Sequence, residues 1–138
     1  MHYLYKLFCT FANEKVLSNM AEHNDLGRWG EEVAATYLQR KGYTVIEQDW
    51  KSGHRDLDII ALNETKNTLV FVEVKTRRNQ MFTDPVDAVG YQKIRNLQQA
   101  ANHYVKYRRI DLDIRFDIIT VVGTPDMEPD ISHIEDAF

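Results

Sequence analysis

Charged side chains interrupt two apolar stretches of the chain, residues 56–62 and residues 69–75. Both stretches are rich in β-branched residues, and the polar segment between them predicts a β-hairpin. Burying an unpaired carboxylate is so unfavourable that such a group normally pairs, takes up a proton or binds a metal ion. The charges of Asp58, Glu73 and Lys75 therefore need a chemical explanation.

The register of this hairpin decides whether the three charges can meet. Side chains alternate along a strand, so Glu73 and Lys75 share one face with Phe71. Asp58 joins that face only if it pairs across the hairpin with Glu73 or Phe71, because a slip of one residue sends it to the opposite face. We predict this register. Two carboxylates and one ammonium leave surplus negative charge, which favours a divalent cation over a buried Glu73–Lys75 ion pair with Asp58 capping a loop.

A wider set of motifs resembles a known family. In chain order the motifs are Gly27-x-x-Gly30-Glu31, Ala34, Tyr37-Leu38, Gly42-Tyr43, Asp58-Ile59-Ile60-Ala61, Phe71-Val72-Glu73-Val74-Lys75-x-Arg77 and Arg115-Phe116-Asp117. Over residues 25 to 138 this pattern resembles the bacterial YraN-like family of predicted endonucleases, which is similar to archaeal Holliday-junction resolvases. An acid followed by Glu-x-Lys is the active-site pattern of the PD-(D/E)XK nucleases. Arg55-Asp56 stands where the family usually has Gly-Glu, which weakens a role for Asp56.

The resemblance implies an α/β, restriction-endonuclease-like fold, with a central mixed sheet of four to five strands and helices on both faces. It implies a magnesium-dependent endonuclease that hydrolyses phosphodiester bonds of DNA, including branched or structured DNA. Asp58 and Glu73 would hold Mg²⁺, or Mn²⁺ in its place, with the main-chain carbonyl of Val74 as a third ligand. Lys75 would position the attacking water or offset developing charge. Related resolvases commonly act as dimers, so a homodimer is also implied.

A first helix is predicted over residues 25–41, with Asn24 or Asp25 as its cap and Gly42 at its left-handed end. Its buried stripe consists of residues at helical spacing: Leu26, Trp29, Val33 and Tyr37. Glu31 lies at the edge of this stripe, whereas Glu32 faces solvent. Two interpretations of Glu31 stand equally: it orients water or assists a second metal at the site, or it is an ordinary acid favoured by the helix dipole.

Charge is segregated along a chain whose net charge is −4. From residue 73 to residue 109 eight basic residues face three acids, whereas residues 123–138 hold five acids and no Lys or Arg. Arg77 and Arg78 follow the second hairpin strand and could grip phosphates, and the resemblance assigns Lys93 to substrate as well. A solvated basic helix is the alternative for residues 106–109. A binding module of the same fold that does not cut DNA, or an assembly factor whose acidic tail meets a protein, would also fit.

The composition limits which classes of protein and site are possible. The 138 residues, 43% of them hydrophobic, suit one domain over residues 20–138, and residues 1–19 read as an extension ahead of a translation start at Met20. The single Cys9 excludes an internal disulfide and suits a reducing cytoplasm. The five histidines have no ligand-like spacing, so each is expected on the surface or in a loop. No apolar run reaches the length of a membrane span, and no small-molecule cofactor is indicated.

The other predicted elements complete the sheet. Residues 43–48 form a first strand that could extend to Trp50, whose ring is expected to cover the core rather than to stack on a base. A loop over residues 79–84, a helical start at Pro85, a helix over residues 90–107, a strand over 116–122 and an edge strand over 131–134 follow. Asp117 is expected to pair with Arg115 or with a helix residue.

Overall fold

The computed structural model describes the backbone of residues 14–79 and 89–138, and the side chains of that part from residue 25 onward. The helices and strands are α1 (Glu14–Arg40), β1 (Thr44–Ser52), β2 (Arg55–Asn63), β3 (Thr68–Arg77), α2 (Tyr91–Arg108), β4 (Asp113–Val122) and β5 (Asp130–Ile134). The five strands form one sheet in the order β1-β2-β3-β4-β5. Only β3 and β4 run parallel, and α2 lies in the connection between them.

The sheet is buried on both faces, which explains why its central strands are apolar without interruption. Helix α1 covers one face, where Ala34 and Leu38 pack with Val72 and other residues of β2, β3 and β4. Helix α2 covers the other face, where Leu97 and Tyr104 are the corresponding buried residues. The predicted α/β class, a mixed sheet with helices on both faces, is therefore confirmed and is consistent with a restriction-endonuclease-like fold.

Helix α1 begins earlier than its sequence pattern predicted. The expected start at Asn24 or Asp25 is wrong, because residues 14–24 contain neither glycine nor proline and the backbone is helical from Glu14. The expected end is confirmed, since Gly42 has φ +94°, a left-handed conformation that suits glycine. The predicted domain boundary before Met20 falls inside this helix, and residues 1–13 lie outside the described residues.

The other predicted strands are present, and each is longer than predicted. Strand β1 extends to Ser52, and β4 begins at Asp113 rather than Phe116. The edge strand is present as β5. The predicted loop and helical start between residues 79 and 85 lie, apart from Asn79, outside the described residues. Within the part of the chain that the structure describes, no helix has the length and hydropathy needed to cross a bilayer.

Trp50 on β1 packs into the core beneath α2, as predicted. Its ring meets the ring of Tyr104 edge to face, with 5.2 Å between the centroids. It also meets the ring of His103 at 5.6 Å. Edge-to-face aromatic pairs add to the stability gained by burial alone. The indole therefore helps to fix the second half of α2 against the sheet.

Candidate active site at the open end of the hairpin

Asp58 lies where the two strands of the hairpin separate. Strands β2 and β3 pair with Ile59 opposite Val72, and the same register extended by one residue places Asp58 opposite Glu73. This is one of the two predicted registers. Beyond this pair the backbone N–H of Val74 donates to Asp58 Oδ2 at 2.9 Å. The aspartate therefore takes the place of a main-chain acceptor and lies at the junction of the two strands.

A local irregularity in the sheet accompanies this position. Leu57 packs on the α2 side of the sheet, whereas Ile59, two residues later, packs on the α1 side. In a regular strand these two side chains would share one face. On the neighbouring strand Asp49, between the partners of Leu57 and Ile59, has φ +52°. The irregularity turns the backbone at Asp58, so that residues from both faces of the sheet can approach its carboxyl group.

Glu73 and two lysines meet on the α2 side of this junction. The Glu73 side chain is only 5% exposed. Its Oε1 atom lies 3.5 Å from Lys75 Nζ and 3.7 Å from Lys93 Nζ. Lys75 is two residues further along β3, and Lys93 belongs to the first turn of α2. The structure therefore brings Lys93, predicted as a substrate-binding residue, directly to Glu73.

Glu31 approaches the same junction from the α1 side. Partial burial is the largest cause that raises the pKa of Glu31 to about 7, and the negative charge of Asp58 adds to it. Asp49 and Asp56 contribute in the same direction. The charge of Asp58 reaches Glu31, which is consistent with a place for Glu31 at the site, and Glu32 is exposed to solvent as predicted.

A close contact between α1 and β3 holds Glu31 in this position. A Cβ atom on Gly30 would lie 1.9 Å from Thr76 Oγ1, so the helix backbone touches the strand. The buried stripe of α1 is centred on Gly30, Ala34 and Leu38. Of the predicted stripe Leu26 is buried, whereas Trp29, Val33 and Tyr37 are only partly buried and pack against the core. The spacing of small residues at i and i+4 was the signal that identifies the contact face.

Asp56 and Asp49 add negative charge near the site, although the sequence interpretation set Asp56 aside and did not consider Asp49. Lys93 Nζ lies 3.8 Å from Asp56 Oδ1, and Asp56 also raises the pKa of Asp58. Asp49 forms an ion pair with Lys51 at 3.1 Å. Asp56 lies two residues before Asp58 on β2, and this spacing could have marked it. No sequence pattern pointed to Asp49, because its position near the site depends on a positive φ angle within β1.

Negative charge is in excess at the centre of the site. Burial raises the pKa of Glu73 to about 7, and the adjacent Asp58 carboxylate acts in the same direction, against Lys93 and Lys75. Burial likewise raises the pKa of Asp58, in spite of the hydrogen bond from Val74 N–H. Burial thus disfavours ionisation of both carboxyl groups; Asp58 adds to this effect on Glu73, whereas a hydrogen bond with Glu73 lowers the pKa of Asp58. A further positive charge at this point would relieve both.

The oxygen atoms present suit a hard divalent cation. Glu73 Oε2 is buried and has no hydrogen-bond partner among the described residues. The described residues contain no group of three or more His, Cys, Asp or Glu side chains arranged to hold a metal ion. Mg²⁺ is commonly bound through one or two carboxylates, with water and substrate phosphate completing its six ligands. The pair Asp58 and Glu73 fits that mode, and the Val74 carbonyl remains the predicted third protein ligand.

Comparison with known proteins gives the family. The Uncharacterised protein family UPF0102 matches residues 30–121. The chain belongs to the UPF0102 family. A UPF0102 protein of Bacteroides thetaiotaomicron is 48% identical over 119 residues, which cover 86% of this chain and 96% of that protein. One from Flavobacterium psychrophilum is 49% identical over 119 residues, covering 86% and 98%, and one from Porphyromonas gingivalis is 46% identical over 120 residues, covering 86% and 87%. This confirms the YraN-like resemblance at the level of the family.

The two arginines that follow Lys75 diverge from one another in this UPF0102 protein. Arg77 is half-buried and donates to the Thr76 carbonyl at 3.3 Å, and its own carbonyl accepts from Gly123 N–H at 2.8 Å. Arg78 is exposed and lines a cavity of about 430 Å³ between the side of α1 and the β4–β5 connection. The role of these two arginines in binding phosphate stays a prediction.

A second buried charge network lies between β4, β5 and α1. Arg115 donates to both carboxylate oxygens of Asp117, at 2.9 and 2.8 Å, which confirms the predicted pair. His133 Nε2 lies 2.8 Å from Asp117 Oδ2, and its side chain is 3% exposed. The prediction of a surface position for His133 is therefore wrong, since β5 turns it inward. His54 and His103 are exposed, as predicted. Burial raises the pKa of Asp117, but hydrogen bonds from His133 and Arg115 lower it overall.

Proposed function

We propose that this UPF0102 protein is a magnesium-dependent endonuclease that hydrolyses phosphodiester bonds of DNA in the cytoplasm, with branched or structured DNA among its substrates. One observation carries the proposal. Asp58, Glu73 and Lys75 meet at the open end of one hairpin, with Glu73 Oε2 buried and lacking a hydrogen-bond partner among the described residues. A purely structural ion pair would leave this oxygen and the surplus charge uncompensated.

Asp58 and Glu73 would hold the cation. The Val74 N–H fixes the Asp58 carboxylate through Oδ2, which leaves Oδ1 as the oxygen that would bind the cation. Both lysines contact Oε1 of Glu73, which leaves Oε2 as the free donor atom. When bound, Mg²⁺ would neutralise the nonbridging phosphate oxygens and activate the attacking water. The raised pKa values of the two carboxyl groups mean that they bind the cation best in alkaline solution.

Lys75 and Glu31 would act on the attacking water and on the charge that develops during cleavage. The ammonium of Lys75 lies beside Glu73 on the same strand and would position the attacking water or offset charge on the phosphorane. Glu31 lies on the other side of Asp58 and keeps a raised pKa of about 7, which suits exchange of a proton near neutral pH. Lys93, 3.7 Å from Glu73, would contact the scissile phosphate, and Arg77 and Arg78 would contact phosphates that flank it.

The proposal is tested by incubating purified protein with Mg²⁺ and a panel of linear, flapped and four-way DNA substrates. Wild-type protein should cut at least one of them, and EDTA should stop the reaction. Asp58→Asn and Lys75→Ala, purified in parallel, should lose cutting because each removes one participant in the site. Cutting that persists in both variants would identify a contaminating nuclease and contradict the assignment. Light scattering on the same preparations tests the homodimer that the resemblance implies.

A DNA-binding module that does not cut is the second candidate. Lys75 and Lys93 already contact Glu73, so two ammonium groups partly neutralise the site without a metal ion. In this alternative the lysines and arginines hold phosphate while the carboxylates merely fix the lysines. Binding of the same DNA panel with no product, in Mg²⁺ or in Mn²⁺, would favour this function over hydrolysis.

A further inference from the structure

Helix α2 has a charge pattern unlike that of the rest of the chain. Its 18 residues contain no Asp or Glu, although the whole chain is acidic with a net charge of −4. The helix carries four basic side chains, Lys93, Arg95, Lys106 and Arg108, and Arg109 follows at its C-cap. Amide side chains fill much of the remaining exposed surface: Gln92, Gln98, Gln99 and Asn102. Such a surface repels no phosphate and offers many hydrogen-bond donors.

The basic residues of α2 divide into an inward and an outward set. Lys93 contacts Glu73 and Asp56, and Arg108 contacts Glu47, so these two are already paired with the sheet. Arg95 and Lys106 are exposed, and within the described residues neither has an ion-pair partner. They are 11 residues apart, which is about three helical turns, so they lie on one face. Buried residues of α2 occupy the opposite face.

Arg109 is a further exposed basic residue at the end of α2, and its backbone conformation is unfavourable. It adopts φ +53° and ψ +48°, the left-handed region in which helices usually end with glycine. An L-residue with a side chain loses about 1 kcal/mol there relative to glycine. A backbone outlier of this kind is consistent with a side chain retained for use. Arg109 is exposed, like Arg95 and Lys106.

We propose that the outward face of α2 is the docking surface for a DNA duplex that leads into the site. This inference rests on the proposed function for its ligand and adds the surface that binds it. Lys93 in the first turn of α2 is at the site, so a duplex along the helix would deliver a phosphate to Glu73 and Asp58. At about 1.5 Å per residue the helix spans about 27 Å, comparable to about eight base pairs at 3.4 Å each.

The charges of the other surfaces orient the duplex. Acidic residues are concentrated in and around β5, where Glu128, Asp130, Glu135 and Asp136 are exposed. The outer side of α1 mixes signs, with Glu32 beside Arg28. A polyanion would be repelled from the first surface and held weakly by the second. At the site end of α2 the exposed ring of Tyr91, with the Arg95 guanidinium 6.0 Å away, offers the duplex an aromatic contact as well.

The test is equilibrium binding of a fluorescent 20-base-pair duplex in EDTA, which separates binding from cutting. In R95Q/K106Q we expect Kd to rise about tenfold, because two phosphate contacts are lost. The slope of log Kd against log salt concentration should fall by about 1.8. The matched control R40Q/K66Q removes the same charge from exposed positions off this face and should bind like wild type. Arg109→Gly should weaken binding while raising the melting temperature, a combination that a purely structural role would not produce.

Each outcome decides for or against the surface. Unchanged affinity and salt slope in R95Q/K106Q, or an equal loss in R40Q/K66Q, would overturn it, as would a wild-type protein that fails to bind duplex at low salt. Duplex binding that needs α2 but yields no product with Mg²⁺ would sustain the surface and refute the nuclease. Cutting of DNA with unchanged duplex binding by R95Q/K106Q would sustain the nuclease and refute the surface.

Discussion

Glu73→Gln should stabilise the metal-free protein in alkaline solution. The pKa of Glu73 is raised from 4.5 to about 7 by burial and by Asp58, so the folded state disfavours the ionised side chain. Stability is therefore lost as pH rises from 4.5 through 7. With about 1.4 kcal/mol per pKa unit, ionisation costs the wild-type fold about 3 kcal/mol above pH 7. Glutamine resembles the protonated acid and avoids that cost.

The assay is thermal unfolding of both proteins in EDTA at pH 5 and at pH 8. We expect nearly equal melting temperatures at pH 5 and a variant that melts about 10 °C higher at pH 8. Mg²⁺ at pH 8 should raise the melting temperature of wild type and leave that of the variant unchanged. Glu32→Gln, on the exposed side of α1, is the control and should show neither effect. A variant that is destabilised equally at both pH values would refute the electrostatic reasoning.

The remaining predictions concern the neighbours of this carboxylate and the two helices. Lys93→Met should lower stability more at pH 8 than at pH 5, because Lys93 lowers the pKa of Glu73; pH-dependent melting checks it. Gly30→Ala should destabilise by about 1 to 3 kcal/mol through its clash with Thr76. Thr76→Ala should recover part of that loss in the double variant, as measured by urea unfolding, because it removes Oγ1 and Cγ2 but leaves the Cβ atom 2.9 Å away. Asp117→Asn should cost about 3 kcal/mol. Its lowered pKa further predicts that wild type loses this contribution below pH 3.8, where acid titrations of the two proteins should converge.

The hairpin was predictable from sequence because several constraints agreed. Apolar runs on both sides of a polar turn predicted the hairpin, and the positions of Asp58, Glu73 and Lys75 limited its register to Asp58 opposite Glu73 or Phe71. The structure has the first of these two registers, since Ile59 pairs with Val72. The end of α1 was equally well marked, since Gly42 is a residue that readily adopts the left-handed conformation.

Other features depend on tertiary contacts that no local pattern contains. Asp49 has a positive φ angle inside β1, a conformation that is uncommon for residues other than glycine and that a strand pattern does not predict. His133 became buried because β5 pairs with β4 beside Asp117, which a short edge strand in the sequence could not reveal. The contact of Gly30 with Thr76 required knowing which side of α1 meets the sheet.

The central claim is that the surplus of buried carboxylate charge at the hairpin junction is matched by a divalent cation. Calorimetric titration of the protein with Mn²⁺ at pH 8 tests it directly, with Asp58→Asn, Glu73→Gln and the control Glu32→Gln measured alongside. We predict saturable binding by wild type and by Glu32→Gln, and loss of that binding in the other two variants. Equal Mn²⁺ binding by all four proteins would contradict the account.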